Sequence, residues 1–129
     1  MADRQKYLKR AGSAVVAIQL KLDTSGFRYQ KWGAEQFCKA GDWIVNNGGE
    51  VYTVDNDTFA RTYQVESPGL YRKVASVWAE VADQDGAIKT KEGATHYKAG
   101  DYLVFNDEAG KDGYSVTAPV FEKMYEAVG

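Results

Sequence analysis

Apolar and polar residues alternate along the chain in a way that predicts a predominantly β structure. Between residues 16 and 22 every second residue is apolar, and this period of two is typical of a strand with one buried face. We therefore expect Val16 and Ile18 to face a core. Residues 75–81 hold the same alternation; one face of a helix would also accommodate the apolar residues there, but the similarity of the two segments favours a strand.

Further strands are predicted at matching places in the two halves of the chain. Turn residues at 25–26 and 85–86 precede a short strand in each half and predict a hairpin with the strand before it. Gly33 and Gly93 mark the next turns. The remaining predicted strands are 27–29, 43–45 and 51–54 in the first half and 87–89, 102–105 and 114–116 in the second.

Each half then changes from a period of two to helical spacing. Asp57 is a suitable N-cap for a helix over residues 58–63, and Thr117 is suitable for a second helix, in which Pro119 is tolerated in the first turn. The apolar residues at helical spacing are Phe59 and Tyr63 in the first helix and Phe121, Met124 and Tyr125 in the second.

The chain carries nearly the same sequence twice. Residues 39–45 return at 98–104, which is 59 residues later, and residues 52–63 return at 114–125, which is 62 residues later. A constant order with one slip of three residues indicates a duplicated unit in which one loop has been lengthened. We expect the repeated tyrosines to pack in the core with their hydroxyls at the surface. They are Tyr52, Tyr63, Tyr114 and Tyr125.

The duplication predicts an α+β, mainly β fold made of two tandem β-rich repeats. Residues 1–66 form the first repeat unit and residues 70–129 the second, each with about four short strands and a C-terminal helix. Residues 67–69 join the units, because proline and glycine interrupt regular structure there. A unit of about 60 residues is marginally stable alone. We therefore expect the units to share one core and to be related by pseudo-two-fold symmetry.

Three short motifs recur in the same order in both copies. They are Gly-Asp-aromatic, a glycine shortly before a tyrosine, and Phe-x-x-x-Tyr, at 41–43, 49–52 and 59–63 and again at 100–102, 113–114 and 121–125. This pattern resembles a group of small bacterial, phage and prophage proteins described by a Pro-Gly-Asp-Tyr-Gly signature, here in tandem duplicate. Ala40 and Ala99 stand where the signature has proline. The resemblance implies a phage-like protein and no particular activity.

Composition excludes a disordered chain and a chain that spans a membrane through helices. Of the 129 residues, 44% are hydrophobic and 13% aromatic, which is too rich for disorder. The longest apolar run is far shorter than a bilayer requires. The first residues lack the apolar stretch of a signal peptide, and the single cysteine, Cys38, cannot form an internal disulfide. We expect a soluble, cytoplasmic protein without a membrane partner.

Charge is distributed unevenly although the net charge is only −2. Residues 1–39 contain eight Lys or Arg and three Asp or Glu, whereas the remainder contains eight and fifteen. Such asymmetry can mark an interaction surface. Alternatively, the two regions neutralise each other in the fold.

No recognised catalytic motif or metal-binding motif is present, and we expect no cofactor and no metal. Asp42 and Asp101 follow glycine at strand entrances, where a carboxylate accepts hydrogen bonds from the backbone of the turn. Cys38 would need a neighbouring base to act as a nucleophile. The one histidine, His96, adjoins the residue that aligns with Cys38, so the two need not be in contact. A hydrolase whose active site is assembled from distant loops remains an alternative hypothesis.

Aromatic residues found in only one copy are the candidates for function, because shared residues are explained by the scaffold. Trp32 aligns with a lysine, Trp78 with a glutamine and Phe105 with an asparagine. Clustered exposed aromatics are typical of interfaces. We expect a non-enzymatic interaction protein whose partner is another protein or a second copy of the chain. The candidate binding residues are Trp32, Trp78, Phe105, Arg28, Lys31 and Arg10.

The alternative function is binding of nucleic acid or of a nucleotide through the basic and aromatic N-terminal region. Lysine and arginine contact phosphates, and interleaved aromatic rings stack on bases. The acidic isoelectric point of about 5.4 and the lack of an RNA-binding signature argue against it.

Overall fold

The residues that the structure describes form short antiparallel strands joined by tight turns. The computed structural model describes residues 4–10 and 14–128, which contain fourteen strands and two short helices. The mainly β prediction is confirmed at this level. The strands are β1 (Gln5–Lys9), β2 (Ala14–Gln19), β3 (Phe27–Lys31), β4 (Ala34–Cys38), β5 (Trp43–Asn47), β6 (Glu50–Val54), β7 (Tyr63–Ser67), β8 (Leu70–Lys73), β9 (Val77–Val81), β10 (Gly86–Lys89), β11 (Ala94–Tyr97), β12 (Tyr102–Phe105), β13 (Gly113–Val116) and β14 (Tyr125–Ala127), and the helices are α1 (Asn56–Thr62) and α2 (Ala118–Met124).

Two five-stranded sheets form the main framework. The strand order is β6-β5-β2-β8-β7 in sheet I and β13-β12-β9-β1-β14 in sheet II. Strand β8 therefore lies inside sheet I, and β1, from the start of the chain, lies inside sheet II. Two separate hairpins, β3-β4 and β10-β11, complete the structure. Each sheet thus contains one strand from the opposite side of the Ser67–Leu70 turn.

Strand β2 is present as predicted, but its buried face is the opposite one. Val15 and Ala17 are 1% and 5% exposed, whereas Val16 and Ile18 are 56% and 67% exposed. The segment is apolar in both phases, so its sequence alone does not define the face. The packing of Phe59 from α1 on Val15 and Ala17 decides the phase.

The predicted hairpins between β2 and β3 and between β9 and β10 are wrong. Strand β3 pairs with β4, and β10 pairs with β11. Strand β2 has β5 on one side and β8 on the other, and β9 has β12 and β1. Both edges of these strands are occupied, so no edge is left for a local hairpin.

Both helices form, and neither ends its unit. Asp55, not Asp57, caps α1, because its carboxylate accepts hydrogen bonds from the N–H groups of Asp57 and Thr58. Thr117 is the N-cap of α2, with a proline in the first turn as predicted, but its side chain makes no capping hydrogen bond. The prediction of four strands and a terminal helix in each unit is incomplete, because β7 and β14 follow the helices. These strands are too short to give a periodic signal.

Each sheet packs one helical phenylalanine against its small buried residues. Phe59 contacts the face of sheet I, and Phe121 contacts Val77, Ala79 and Val104 of sheet II. Each phenylalanine is also the middle ring of an aromatic stack. The ring centroids are 4.1 and 4.4 Å apart in Trp43–Phe59–Tyr63 and 4.0 and 4.9 Å apart in Tyr102–Phe121–Tyr125.

We expect Phe121→Ala to lower the free energy of unfolding by about 3–5 kcal/mol, because it leaves a cavity in a buried aromatic stack. Urea denaturation measures the change. The neighbouring substitution Val120→Ala is the control: Val120 is exposed, so a change within about 0.5 kcal/mol is expected. Equal losses in the two variants would contradict this account of the core.

Candidate functional site

Trp78 and Phe105 lie side by side on the outer face of sheet II. They are direct cross-strand partners on β9 and β12. Phe105 is only 6% exposed: its ring lies against Gly113, and the Arg4 guanidinium is 4.1 Å from the ring centroid. Arg4 also forms a 2.7 Å ion pair with Glu80. Lys6 lies over the half-buried Trp78 at 5.8 Å. Arg4, just before β1, and Lys6 of β1 therefore lie over this aromatic pair.

Trp32 lies elsewhere, at the tip of the β3-β4 hairpin. Its φ of 56° is in the left-handed region, its side chain is 37% exposed, and its ring centroid is 5.8 Å from that of Tyr52. Lys31 lies over the indole at 5.2 Å and pairs with Glu50 at 3.3 Å. The tip thus holds one of the predicted aromatics beside one of the predicted basic residues.

The other predicted basic residues are held in ion pairs. Arg28 pairs with Glu35 across the β3-β4 hairpin at 3.1 Å. Arg10 pairs with Glu126 at 3.2 Å and donates a hydrogen bond to the backbone carbonyl of Glu122. The six candidate residues thus fall into three groups: the outer face of sheet II, the β3-β4 hairpin and the region beside α2. Arg4, Arg10 and Lys31 pair with acidic residues beyond residue 39, which supports mutual neutralisation of the two regions, whereas Arg28 pairs within the basic region.

The outer face of sheet I carries a surface that the sequence did not reveal. We call it the aliphatic face, and it consists of Val16, Ile18, Ile44 and Leu70. Val16 lies opposite Leu70, and Ile18 opposite Ile44, in the strand register. Side chains directly opposite on one face of a sheet are in contact range. The alternation at residues 16–22 predicts that Val16 and Ile18 are buried, whereas in the structure they are exposed.

A charged network joins α1 to the second half of the chain. Lys39 bonds Asp42 at 2.7 Å and Asp55 at 2.6 Å. Lys91 pairs with Asp55 at 3.4 Å, and Thr58 donates a hydrogen bond to Asp112 at 2.7 Å. Burial alone would raise the pKa of Asp55, but the hydrogen bond and charge of Lys39 bring it below its ordinary value. The carboxylates here are engaged by cap and lysine donors, so the network is structural.

The Gly-Asp motifs act in turns, as predicted. Asp42 accepts a hydrogen bond from the N–H of Lys39 at 3.2 Å, and Asp101 accepts the matching bond from Lys98 at 3.0 Å. Asp42 is buried and also accepts from the N–H of Asn56, which positions the start of α1. The carboxylate therefore connects a turn to a helix.

Cys38 has the environment of a core residue. Burial raises the pKa of its thiol to about 11, so the reactive thiolate is scarce near neutral pH. The backbone N–H of His96 bonds to the carbonyl of Trp32 in the hairpin contact. Within residues 4–10 and 14–128, no group of three or more His, Cys, Asp or Glu side chains is arranged to hold a metal.

The repeated tyrosines direct their hydroxyls inward, which corrects the expectation of surface hydroxyls. The Tyr114 and Tyr125 hydroxyls are 3.1 Å apart. Lys73, only 6% exposed, donates hydrogen bonds to Tyr114 at 3.0 Å and to Tyr125 at 3.4 Å. Lys73 and Lys9 are not identified as a pair in the sequence analysis. Each follows a tyrosine by two residues, and that spacing is the sequence signal.

Comparisons with protein-family models, curated proteins and solved structures find no match. Among the helices of the described ranges, none has the length and apolar character to cross a membrane.

Glu92 gives the fold a dependence on pH. It accepts a hydrogen bond from the N–H of Asp55 at 2.8 Å, and burial raises its pKa from 4.5 to about 7. A carboxyl that holds its proton more tightly in the folded state stabilises the fold at low pH. Its contribution is lost as pH rises from about 4.5 to about 7.

We expect Glu92→Gln to reduce the loss of stability between pH 4.5 and pH 7, because glutamine retains the acceptor without acquiring charge. Urea denaturation at a series of pH values measures the effect. Glu108→Gln, at an exposed loop position, is the control. An unchanged pH profile in Glu92→Gln would refute the assignment to Glu92.

Proposed function

We propose that this protein is a small non-enzymatic interaction protein that binds a protein partner through the aliphatic face of sheet I. The observation that carries the proposal is the exposure of Val16 and Ile18, more than half of each side chain, at adjoining positions of a central strand. A partner that presents apolar side chains fits such a surface. Full burial of one such aliphatic side chain contributes about 1.5–3 kcal/mol.

The outer face of sheet II can be compared with the aliphatic face of sheet I. There β1 brings Arg4 and Lys6 over Phe105 and Trp78, and Glu80 pairs with Arg4. On sheet I the strand in the corresponding place is β8, which contributes Leu70 to the aliphatic face. Charged side chains of the chain itself lie over one outer face, whereas Val16 and Ile18 on the other are exposed.

The ion pairs favour a protein partner over nucleic acid. Nucleic-acid binding through the N-terminal region would require lysine and arginine side chains that are free to contact phosphates. Arg4, Arg10, Arg28 and Lys31 are each paired with a glutamate. Trp32 is exposed enough to contribute to a protein interface, whereas the Trp78–Phe105 pair is largely covered.

We also infer that the chain is two copies of one unit with pseudo-two-fold symmetry and exchanged first strands. The strand orders of sheets I and II support this when β1 is matched to β8. Hydrogen bonds support it too: Gly41 N–H bonds the carbonyl of Leu20 at 2.8 Å, and Gly100 N–H bonds that of Ala82 at 2.8 Å. Trp78 then corresponds to Val16, not to Gln19, since Val16 pairs with Asn46 and Trp78 with Phe105.

Ile18→Lys tests the aliphatic face. We expect at least a tenfold loss of affinity for a partner captured from an extract of the source cells, with the free energy of unfolding changed by no more than about 0.5 kcal/mol. Val65→Lys is the matched control, because Val65 is 62% exposed on β7, outside the face. Equal capture of the same protein by both variants would overturn the proposal. Sedimentation velocity shows whether the occupant is a second copy.

A protease site inserted between Pro68 and Gly69 tests the exchange of strands. After cleavage, β1 still belongs to sheet II and β8 to sheet I, so the two fragments should co-elute in native size exclusion and separate only in denaturant. Fragments that separate under native conditions as two stable folded halves would contradict the exchange.

A further inference from the structure

We propose that Lys9 and Lys73, together with the hydroxyls of Tyr114 and Tyr125, form a binding site for a tetrahedral oxyanion such as inorganic phosphate. The site lies on the inner side of the sheets, away from the aliphatic face. It is therefore a second function, independent of partner binding.

Lys73 supplies the buried half of the site. Its ammonium donates to the two hydroxyls, and it lies 5.2–5.9 Å from the ring centroids of Tyr63, Tyr114 and Tyr125. Burial raises the pKa of each of these tyrosines, so they are neutral and able to donate hydrogen bonds. The three tyrosine rings surround the Lys73 ammonium but carry no negative charge that would neutralise it.

Lys9 supplies the accessible half. It is the direct cross-strand partner of Tyr125, and it shares the inner face of β1 with Tyr7, which packs against Phe121. Burial, and then the charge of Lys73, lower the pKa of Lys9 to about 8. Both lysines adjoin Tyr125, since Lys9 is its cross-strand partner and Lys73 donates to its hydroxyl at 3.4 Å. Lys9 is half-buried, and in this proposal the anion enters from its side.

Among the described residues, neither lysine has a carboxylate within 4.0 Å. Asp112 is the acidic group whose charge reaches Tyr114, but it is already held by Thr58, Lys91 and Arg61. A buried charge without a counter-charge is costly. An external anion would relieve this cost and accept hydrogen bonds from both ammonium groups.

The donor set selects the class of anion. Two ammonium groups offer charge-assisted hydrogen bonds. The Tyr114 and Tyr125 hydroxyls are hydrogen-bonded to each other, so one hydroxyl hydrogen of the pair is left to donate a further bond. A doubly charged tetrahedral oxyanion has the charge and the number of acceptors to use all of them. A monocarboxylate offers half the charge and only two oxygens, so we expect acetate to bind more weakly than phosphate or sulfate.

Thermal unfolding with increasing inorganic phosphate, at pH 7 and at an ionic strength held constant with chloride, tests the site. We expect Tm to rise for the wild type, for Lys9→Arg and for Lys6→Gln, which alters the outer face of the same strand. Lys9→Gln should bind phosphate at least about tenfold more weakly. No rise in the wild type, or an equal rise in Lys9→Gln, would overturn the proposal.

Carbon-13 NMR of the lysine ε-carbons gives a second readout that does not depend on unfolding. Bound phosphate should raise the pKa of Lys9, because the anion favours the charged amine. An unchanged Lys9 titration at saturating phosphate would overturn the proposal. Sulfate in place of phosphate should reproduce the shift if charge and shape alone are recognised, and its failure to do so would overturn the assignment to tetrahedral oxyanions as a class.

Discussion

The placement of β1 and β8 is the constraint on which the rest of the structure depends. Each is an inner strand of its sheet, with hydrogen-bonded neighbours on both sides. Without β8, strands β2 and β7 of sheet I would each lose a partner, and β9 and β14 depend on β1 in the same way. The two sheets are therefore coupled through the backbone. The helices, stacks and hairpins are built on this framework.

The same two strands determine how the outer and inner faces differ. Strand β1 directs Lys6 outward toward Trp78 and Lys9 inward toward Tyr125, whereas β8 directs Leu70 outward and Lys73 inward. The inner faces therefore match in chemistry, with a lysine from each strand among tyrosines. The outer faces do not match, and this difference separates an accessible apolar surface from a covered one.

Local signals predicted the parts of the fold that depend on local interactions. The strands around Val45 and Val104, the turns at the Gly-Asp motifs and the position of both helices follow from periodicity and capping chemistry. The phase of β2 could not be predicted, because Ala14–Ile18 is apolar on both faces and the packing of Phe59 selects one of them. The partners of β3 depend on both edges of β2 being occupied. The candidate sites depend on contacts between residues far apart in sequence, such as Lys73 with Tyr125, for which no local pattern exists.

The placement of β1 also governs the order in which the chain can fold during synthesis. Strand β1 leaves the ribosome first, yet its two neighbours, β9 and β14, lie at residues 77–81 and 125–127. Sheet I is complete once Lys73 has emerged, but sheet II requires nearly the whole chain. The first strand must therefore wait unpaired while about half of the protein folds, and such long-range pairing is intrinsically slow. The basic and polar residues of β1 are compatible with exposure to water before the strand pairs.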